Sequence, residues 1–185
     1  MSKHTLREHA KEIRSRLSHE EIAHDSTLIE RHLLSVINGE SPILIYVSKA
    51  NEVDTRELIR ALLRRGKTIL VPLIVGPGIM EAHRIETFED LAPGEFGILA
   101  PARPAPFEGT PDISICPGLA FSRRGDRLGR GAAYYDRFLA AHPRACAVAL
   151  SYELQLVDEI PIGPGDMHVR LIVTEDRTIR VPAGR

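Results

Sequence analysis

The chain has 185 residues, of which 43% are hydrophobic and 26% are charged, and its formal net charge at pH 7 is −1. This composition is ordinary for a soluble globular protein, and the near-neutral charge argues against a domain that binds nucleic acid in bulk. No apolar run approaches the roughly 18 residues that a membrane-spanning helix needs, so we expect neither nucleic acid nor membrane among its partners.

The N-terminus and the cysteines bear on location and domain organisation. Residues 1–13, MSKHTLREHAKEI, are charged and lack the apolar core of a signal peptide. Cys116 and Cys146 are the two cysteines, and each stands in an apolar run of strand-like composition. Such thiols do not suggest a disulfide scaffold, so we expect a reducing, cytoplasmic location. The length suits a single domain over 1–185 with a substantial core.

Helical patterns dominate the first part of the chain. Apolar residues at helical spacing predict the buried face of a first helix: Leu6, Ala10, Ile13 and Leu17. Ser18 followed by Glu21 predicts a capping box that opens a second helix. Asp54 followed by Glu57 predicts another capping box, at the start of a third helix.

Apolar segments of strand length alternate with the predicted helices: 43–48, 68–74, 112–116, 145–151 and 169–175. This alternation implies parallel crossover units and a sheet covered on both faces. We therefore predict an α/β fold, a single three-layer domain with a mainly parallel central sheet flanked by helices. The segment 76–111 shows a weaker pattern, with a turn at 76–78 and a proline-rich surface or lid loop towards its end.

The stretch GDRLGRGAAYYDRF at 125–138 begins with a glycine- and arginine-rich loop between a predicted strand and a predicted helix. At this edge of a parallel α/β sheet ligands bind, and the free N–H groups of a helix start favour a phosphate. An ordinary turn with a solvated basic face is the simpler interpretation. The loop is not a Walker loop, because no Gly-Lys-Ser/Thr follows it. It is not a dinucleotide fingerprint either, because Tyr134 stands where the third glycine would be. Asp136 is a candidate Mg²⁺ ligand, since hard cations prefer carboxylate and phosphate oxygens.

Motifs along most of the chain point to a family. The matching segments are Lys3 and Arg7 in K-x-x-L-R, YVSKANEVDT at 46–55, GEFGILAP at 94–101, PGLAFSRRGDRLGRGAAYYDRFL at 117–139, Asp166, and IVTE at 172–175. In this order they resemble the motifs of the 5-formyltetrahydrofolate cyclo-ligase family, also called methenyltetrahydrofolate synthetase. A set of motifs at matching separations is more specific than any one of them.

The resemblance implies an enzyme that converts 5-formyltetrahydrofolate into 5,10-methenyltetrahydrofolate with ATP, releasing ADP and phosphate. ATP and Mg²⁺ are then the expected cofactors, and a reduced folate and ATP are the expected small-molecule partners. The implied chemistry is phosphoryl transfer to the formyl oxygen, in which the protein mainly positions groups and neutralises charge. We expect a monomer or a weak homodimer.

The resemblance also implies roles for individual residues. The expected ATP-binding residues are Lys3, Arg7, Arg127, Leu128, Gly129, Arg130, Gly131, Ala132, Ala133, Tyr134 and Tyr135. Arg127 and Tyr135 are the expected catalytic residues, and arginine suits the transferring phosphoryl group because its planar fork of donors stays charged. Glu52, Met80 and Tyr135 are expected to bind folate, Glu52 through the N–H edge of the pterin. Asp136 is expected to hold Mg²⁺.

Several positions depart from the family's usual motifs: Ala100, Ser122, Arg130, Ala132, Ala133 and Gly165. If either alanine of the glycine loop needs a positive φ, the cost relative to glycine is about 1 kcal/mol. Equally, alanine favours helix, and the helix could begin earlier. Three functions therefore stay open: a working cyclo-ligase, a catalytically impaired folate- or nucleotide-binding protein, and an enzyme acting on another formylated or phosphorylated metabolite.

Overall fold

Helices and strands alternate along most of the computed structural model, which describes residues 1–94 and 97–182. The helices in these ranges are α1 Lys3–Ser15, α2 His19–Val36, α3 Arg56–Arg64 and α4 Tyr134–Ala141. The strands are β1 Ile43–Ile45, β2 Ile69–Gly76, β3 Ile79–Ile85, β4 Leu91–Pro93, β5 Leu99–Pro101, β6 Ile113–Cys116, β7 Ala120–Ser122, β8 Arg127–Leu128, β9 Cys146–Leu150, β10 Leu156–Val157, β11 Leu171–Val173 and β12 Thr178–Arg180. None of the four described helices combines the length and hydropathy that a membrane span requires.

The central sheet has seven strands in the order β12-β11-β9-β6-β1-β2-β3. The strands from β11 to β2 pair in parallel, whereas β12 and β3 pair antiparallel with their neighbours at the two edges. Smaller sheets with the orders β10-β7-β8 and β4-β5 complete the described strands. The predicted α/β fold with a mainly parallel central sheet is confirmed.

Successive residues of β1 pack on opposite faces of the sheet. Ile43 and Ile45 join the main core with residues of α2 and α3, whereas Leu44 packs with Leu70 and with Phe138 of α4. All three β1 side chains are completely buried, which explains why this strand reads as a continuous apolar run. Helices therefore cover both faces of the sheet, as the alternation of strands and helices predicted.

The two predicted capping boxes have different outcomes. Ser18 and Glu21 form theirs at the start of α2, each side chain accepting from the other's backbone N–H. The box predicted for Asp54 and Glu57 is wrong, because Thr55 is the N-cap residue of α3 and makes no side-chain capping bond. Asp54 accepts instead from the N–H two residues later. A short polar residue before a helix thus marks the start of that helix without specifying its hydrogen bonds.

The buried face of α1 differs from the prediction at two positions: Ile13 is only half-buried, and Leu17 lies beyond the end of the helix at Ser15. Leu6 and Ala10 are buried as predicted, but Arg14 rather than Ile13 continues the face. The Arg14 guanidinium reaches the carbonyl oxygen of Gly118 at 3.5 Å. A periodicity argument assigns charged side chains to the solvent side, so it could not place this arginine inside.

The prediction missed seven of the described strands: β3, β4, β5, β7, β8, β10 and β12. Each is short or lies at an edge of a sheet, where apolar and polar residues mix and the pattern is weak. The segment 169–175 contains β11, and β12 lies beyond it at the edge of the sheet. In the proline-rich loop, the N–H of Phe107 donates to the carbonyl of Ala82 and the N–H of Arg84 to that of Ala105. This part of the loop runs along β3.

Two crossover connections leave the sheet in opposite directions. The chain passes from β1 through α3 to β2, and from β6 through α4 to β9, while β1 and β6 are neighbours. In open α/β sheets, ligands bind in the crevice at the carboxyl ends of the strands where the strand order reverses. The segments that follow β1 and β6 form this crevice.

Candidate active site

A cavity of about 830 Å³ occupies the crevice between β1 and β6. Its lining includes every residue that the sequence predicted for the site: Lys3, Arg7, Glu52, Met80, Arg127, Leu128, Gly129, Arg130, Gly131, Ala132, Ala133, Tyr134, Tyr135 and Asp136. Residues 95–96 of the motif at 94–101 lie outside the described part of the chain. The fold thus gathers side chains from α1, the segment after β1, β3 and the glycine loop around one volume.

Two basic side chains of α1 reach the glycine loop and its surroundings. Arg7 Nε donates to the carbonyl oxygen of Gly129 at 2.9 Å. Lys3 forms an ion pair with Asp166, whose carboxylate also accepts from the N–H of Gly163 at 2.7 Å. Burial acts to raise the pKa of Asp166, but the Lys3 ammonium and the Gly163 amide together hold it below its ordinary value. Both basic residues are therefore tethered at the same end of the cavity.

Arg127 and Asp136 form an almost completely buried ion pair, with 2.7 Å between Nη2 and Oδ1 and side-chain exposures of 3% and 14%. Arg127 lies on β8, and its Nη1 donates to the carbonyl oxygen of Pro117 at 3.2 Å. Asp136 Oδ1 also accepts from the N–H of Met167 at 3.1 Å. Asp136 is thus a positioning residue for Arg127, and its second oxygen has no hydrogen bond to any described group.

One donor of Arg127 is left over. Its Nε is buried and has no hydrogen-bond partner among the described groups. A buried N–H without a partner is costly. Because Nε is covered by protein atoms, Arg127 favours an anion in the cavity through its positive charge rather than through this donor.

α4 begins directly at the cavity. Its N-cap residue, Ala133, makes no side-chain capping hydrogen bond and has a left-handed backbone with φ of 53°. Gly131, two residues earlier, has φ of 111°. The first-turn N–H groups, together with the positive end of the helix dipole, suit a phosphate group, as the interpretation of the loop expected.

Glu52 is buried in another part of the cavity wall, with its side chain only 8% exposed. Its Oε1 lies 2.6 Å from Nη2 of Arg130, and its Oε2 accepts from the N–H of Lys49 at 2.9 Å. The Tyr152 hydroxyl donates to the Glu52 carbonyl oxygen at 2.9 Å and anchors the backbone there. Burial lowers the pKa of the nearby Arg14, and the Glu52 carboxylate opposes that effect. A ligand bound by Glu52 therefore has to displace Arg130.

Aromatic and apolar side chains complete the wall. The Tyr135 hydroxyl is buried without a hydrogen-bond partner in the described part of the structure, and burial raises the pKa of Tyr135 well above its usual value. The hydroxyl therefore stays protonated and can donate. The Arg127 guanidinium carbon lies 5.8 Å from the Tyr135 ring centroid, and that of Arg137 lies 5.6 Å from the Tyr134 ring. Met80 contributes an apolar side chain from β3.

A sequence model of the 5-formyltetrahydrofolate cyclo-ligase family matches residues 1–175. The chain belongs to this family. The 5-formyltetrahydrofolate cyclo-ligase of Mus musculus is 28% identical over 194 residues, covering 95% of this chain and 94% of that protein. The cyclo-ligase of Mycolicibacterium smegmatis is 34% identical over 154 residues, covering 77% of each. The NMR structure of Aquifex aeolicus 5,10-methenyltetrahydrofolate synthetase superposes with a TM-score of 0.87 at 29% identity, covering 100% of this chain and 95% of that one.

The family assignment made from the motifs is therefore confirmed, and cyclo-ligase relatives support a cyclo-ligase function. Two charged residues of the cavity lining, Lys49 and Asp166, were not among the predicted site residues. Lys49 lies inside the matched motif at 46–55, but a motif does not show which of its side chains face a cavity. Asp166 matched a family motif, but its pairing with Lys3 depends on a contact across 163 residues of sequence.

The departures from the cyclo-ligase motifs fall in different places. Ala100, Ala132 and Ala133 line the cavity, so these changes do alter its wall. Ser122 is completely buried, and its hydroxyl donates to Asp126 at 2.6 Å, which ties the two arms of the β7–β8 hairpin together. Gly165 has no heavy atom within 4 Å of the place where a Cβ would stand. The alanines and Arg130, which replaces the aromatic residue usual before Gly131, therefore bear on the cavity, whereas Ser122 and Gly165 do not line it.

Ala133→Gly is expected to raise the free energy of unfolding by about 0.5–1 kcal/mol. A left-handed backbone costs a residue with a Cβ about 1–2 kcal/mol, part of which is offset by the larger entropy that glycine loses on folding. The alternative that the helix begins earlier is wrong, because α4 begins at Tyr134. Urea unfolding measures the change, with Ala132→Gly as the matched control because Ala132 has no positive φ. A larger gain for the control would contradict the assignment of strain to Ala133.

Proposed function

We propose that this chain catalyses the ATP-dependent cyclisation of 5-formyltetrahydrofolate to 5,10-methenyltetrahydrofolate, with ADP and phosphate as the other products. One observation carries the proposal: a single cavity combines basic side chains and an uncapped helix start with a buried carboxylate in another part of its wall. The basic side chains and the helix start suit the phosphates of a nucleotide. The buried Glu52 carboxylate suits the N–H edge of a pterin. Family membership does not favour the alternatives of an impaired binding protein or a different metabolite.

The phosphates of ATP are proposed to lie against the start of α4. The first-turn N–H groups and the Arg127 guanidinium are donors whose positions are set before the substrate arrives. Lys3 and Arg7 add positive charge from α1, and Gly129 and Gly131 present backbone without a side chain between them and a bound phosphate. The negative charge on the transferring phosphoryl group is thus stabilised by groups that need little reorganisation.

Mg²⁺ fits this site as an ion that arrives with the nucleotide. The residues that the structure describes contain no cluster of three or more His, Cys, Asp and Glu side chains suited to a metal. Mg²⁺ is commonly held by one or two carboxylates together with substrate phosphates, and Asp136 has one carboxylate oxygen left for it. When bound, the ion supplies further neutralisation of charge on the phosphate oxygens.

The folate is proposed to lie between Glu52 and the apolar wall. The Glu52 carboxylate accepts hydrogen bonds from the pterin N–H edge once Arg130 has moved away from it. Met80, with Ile74 and Ile98, offers apolar surface to the flat parts of the substrate. The protonated Tyr135 hydroxyl is a donor at the junction of the two substrates.

The proposed reaction makes the formyl oxygen a leaving group. The terminal phosphoryl group moves from ATP to that oxygen, which releases ADP and leaves the formyl carbon electrophilic. N10 of the folate then attacks this carbon, the bond between carbon and oxygen breaks, and phosphate departs as N10 loses its proton to solvent. The protein holds both substrates in one cavity and keeps Arg127 against the transferring group, which is catalysis by position and charge.

An assay of the purified chain tests the proposal. Incubation with 5-formyltetrahydrofolate, ATP and Mg²⁺ is expected to form the methenyl product, followed by its absorbance, and ADP in equal amounts. Omission of ATP should abolish both. Folded protein that binds the folate but forms no methenyl product would overturn the proposal and establish the binding protein instead.

A further inference from the structure

A second cavity, of about 790 Å³, lies at the opposite edge of the sheet, near the amino ends of β9 and β11. It is enclosed by the tip of the β7–β8 hairpin, the end of α4, the segment before β11 and the residues after β12. Its lining residues include no aspartate or glutamate: Arg123, Arg124, Leu139, His142, Pro143, Ala145, Ala147, Met167, His168, Val169, Arg170, Val181 and Pro182. None of the residues assigned to the candidate active site belongs to it.

Positive charge is concentrated in this second cavity. Arg123, Arg124 and Arg170 line it, and no carboxylate or hydrogen-bond acceptor in the described ranges contacts their guanidinium groups. The chain as a whole carries a formal charge of −1, so this grouping is not a consequence of a basic composition. Arginines that gather without partners around a concave volume attract an anion, because a guanidinium matches carboxylate and phosphate oxygens.

Two histidines line the cavity. Nδ1 of His142 lies 2.8 Å from the carbonyl oxygen of Phe138, so its Nε2 is the ring position left for a ligand. Nδ1 of His168 lies 3.1 Å from Oδ1 of Asp126, but neither of these two buried atoms has a hydrogen-bond partner among the described groups. The other Asp126 oxygen accepts from the Ser122 hydroxyl at 2.6 Å.

The hairpin tip that carries the two adjacent arginines is fixed against the cavity wall. Gly125 has φ of 88°, and a Cβ there would lie 2.4 Å from the carbonyl oxygen of Val169 and 3.0 Å from Val181 Cγ1. The N–H of Val169 donates to the Gly125 carbonyl at 2.9 Å. The backbone of Arg123 and Arg124 is therefore held beside the cavity by a contact that only glycine permits.

We propose that this second cavity binds a small organic anion that carries two or more phosphate or carboxylate groups. The arginines of the hairpin tip and Arg170 pair with the anionic groups, and the His142 Nε2 atom contacts them from the side. Buried Leu139 and Val169 form an apolar floor for the remainder of the molecule. The volume lies within the range of small-molecule sites, which is about 300–1,000 Å³.

Calorimetric titration with pyrophosphate and with citrate tests this site and separates phosphate from carboxylate recognition. The decisive variant is Arg123→Ala/Arg124→Ala, which removes two exposed side chains and should not disturb the core. Its matched control, Arg64→Ala/Arg65→Ala, removes two adjacent exposed arginines at the end of α3 and changes the net charge equally. We expect at least about tenfold weaker binding for the first variant and a change below about twofold for the control, since each lost charge-assisted hydrogen bond weakens binding substantially.

The active-site cavity also has basic residues, so the titrations are repeated on Arg127→Ala. Binding that persists there and is lost on adding Arg123→Ala/Arg124→Ala supports the proposal. The tighter of the two probes identifies the preferred anionic group. Equal weakening in the hairpin variant and the α3 control would overturn the proposal, because it would reveal only general attraction of anions. The proposal would also be overturned if neither pyrophosphate nor citrate bound to the chain in which Arg123 and Arg124 are unchanged.

Discussion

Arg127→Ala is expected to lower kcat/KM for the methenyl-forming reaction by about 10²–10³-fold, the usual effect of removing one preorganised electrostatic donor from a closed site. Arg127 is the most deeply buried cation of the described cavity lining, and its charge lies where the phosphates of ATP are proposed to bind. Steady-state kinetics with ATP and folate varied separately measure the change. We expect the main loss in kcat, because the donor acts on charge that develops during transfer.

The control for this prediction has to separate catalysis from stability. Removing one partner of a buried ion pair costs about 3–5 kcal/mol, because the other charge stays buried without its partner. Arg127→Ala alone leaves Asp136 in that position, whereas the double variant Arg127→Ala/Asp136→Ala removes both charges. The double variant should regain most of the lost stability without regaining turnover. Recovery of turnover together with stability would contradict a catalytic role for Arg127.

Glu52→Gln is expected to raise the KM for 5-formyltetrahydrofolate by about 10–100-fold with a smaller effect on kcat. The substitution keeps the shape of the side chain but removes the charge, and a hydrogen bond to a charged group contributes about 1.5–3 kcal/mol. Initial rates at saturating ATP measure the folate KM. Thermal unfolding of the same variant shows whether the fold is retained.

Arg130→Met is the matched control, because it breaks the same ion pair at 2.6 Å and leaves the carboxylate in place. We expect Arg130→Met to raise the KM for ATP and to leave the folate KM unchanged or lower, since Glu52 is then free before folate binds. An equal rise of the folate KM in both variants would mean that Glu52 acts only by holding Arg130.

Burial patterns in the sequence account for much of the fold. The apolar runs that predicted β1, β2, β6, β9 and β11 are strands, because a strand buried on both faces has few polar residues and reads as a continuous run. Ser18 and Glu21 form their capping box because both partners lie within one turn of helix. Where the contacts that stabilise an element are close in sequence, the sequence pattern is enough to predict that element. Edge strand β3 mixes buried and exposed residues. Strands β7 and β8 are buried throughout, but at three and two residues they are too short to show a pattern.

The sequence alone determined the family, the order of the main elements and part of the cavity lining, because these follow from motifs and from periodic burial. Only the tertiary structure decided how the charges pair. Asp136 holds Arg127, and Glu52 is held by Arg130 across 78 residues of sequence. An ion pair depends on the distance between two side chains in space, which no spacing along the chain encodes. The left-handed backbone of Ala133 was likewise decided by the tertiary structure. The positions of the β7–β8 hairpin and of α4 set the course of the chain that connects them.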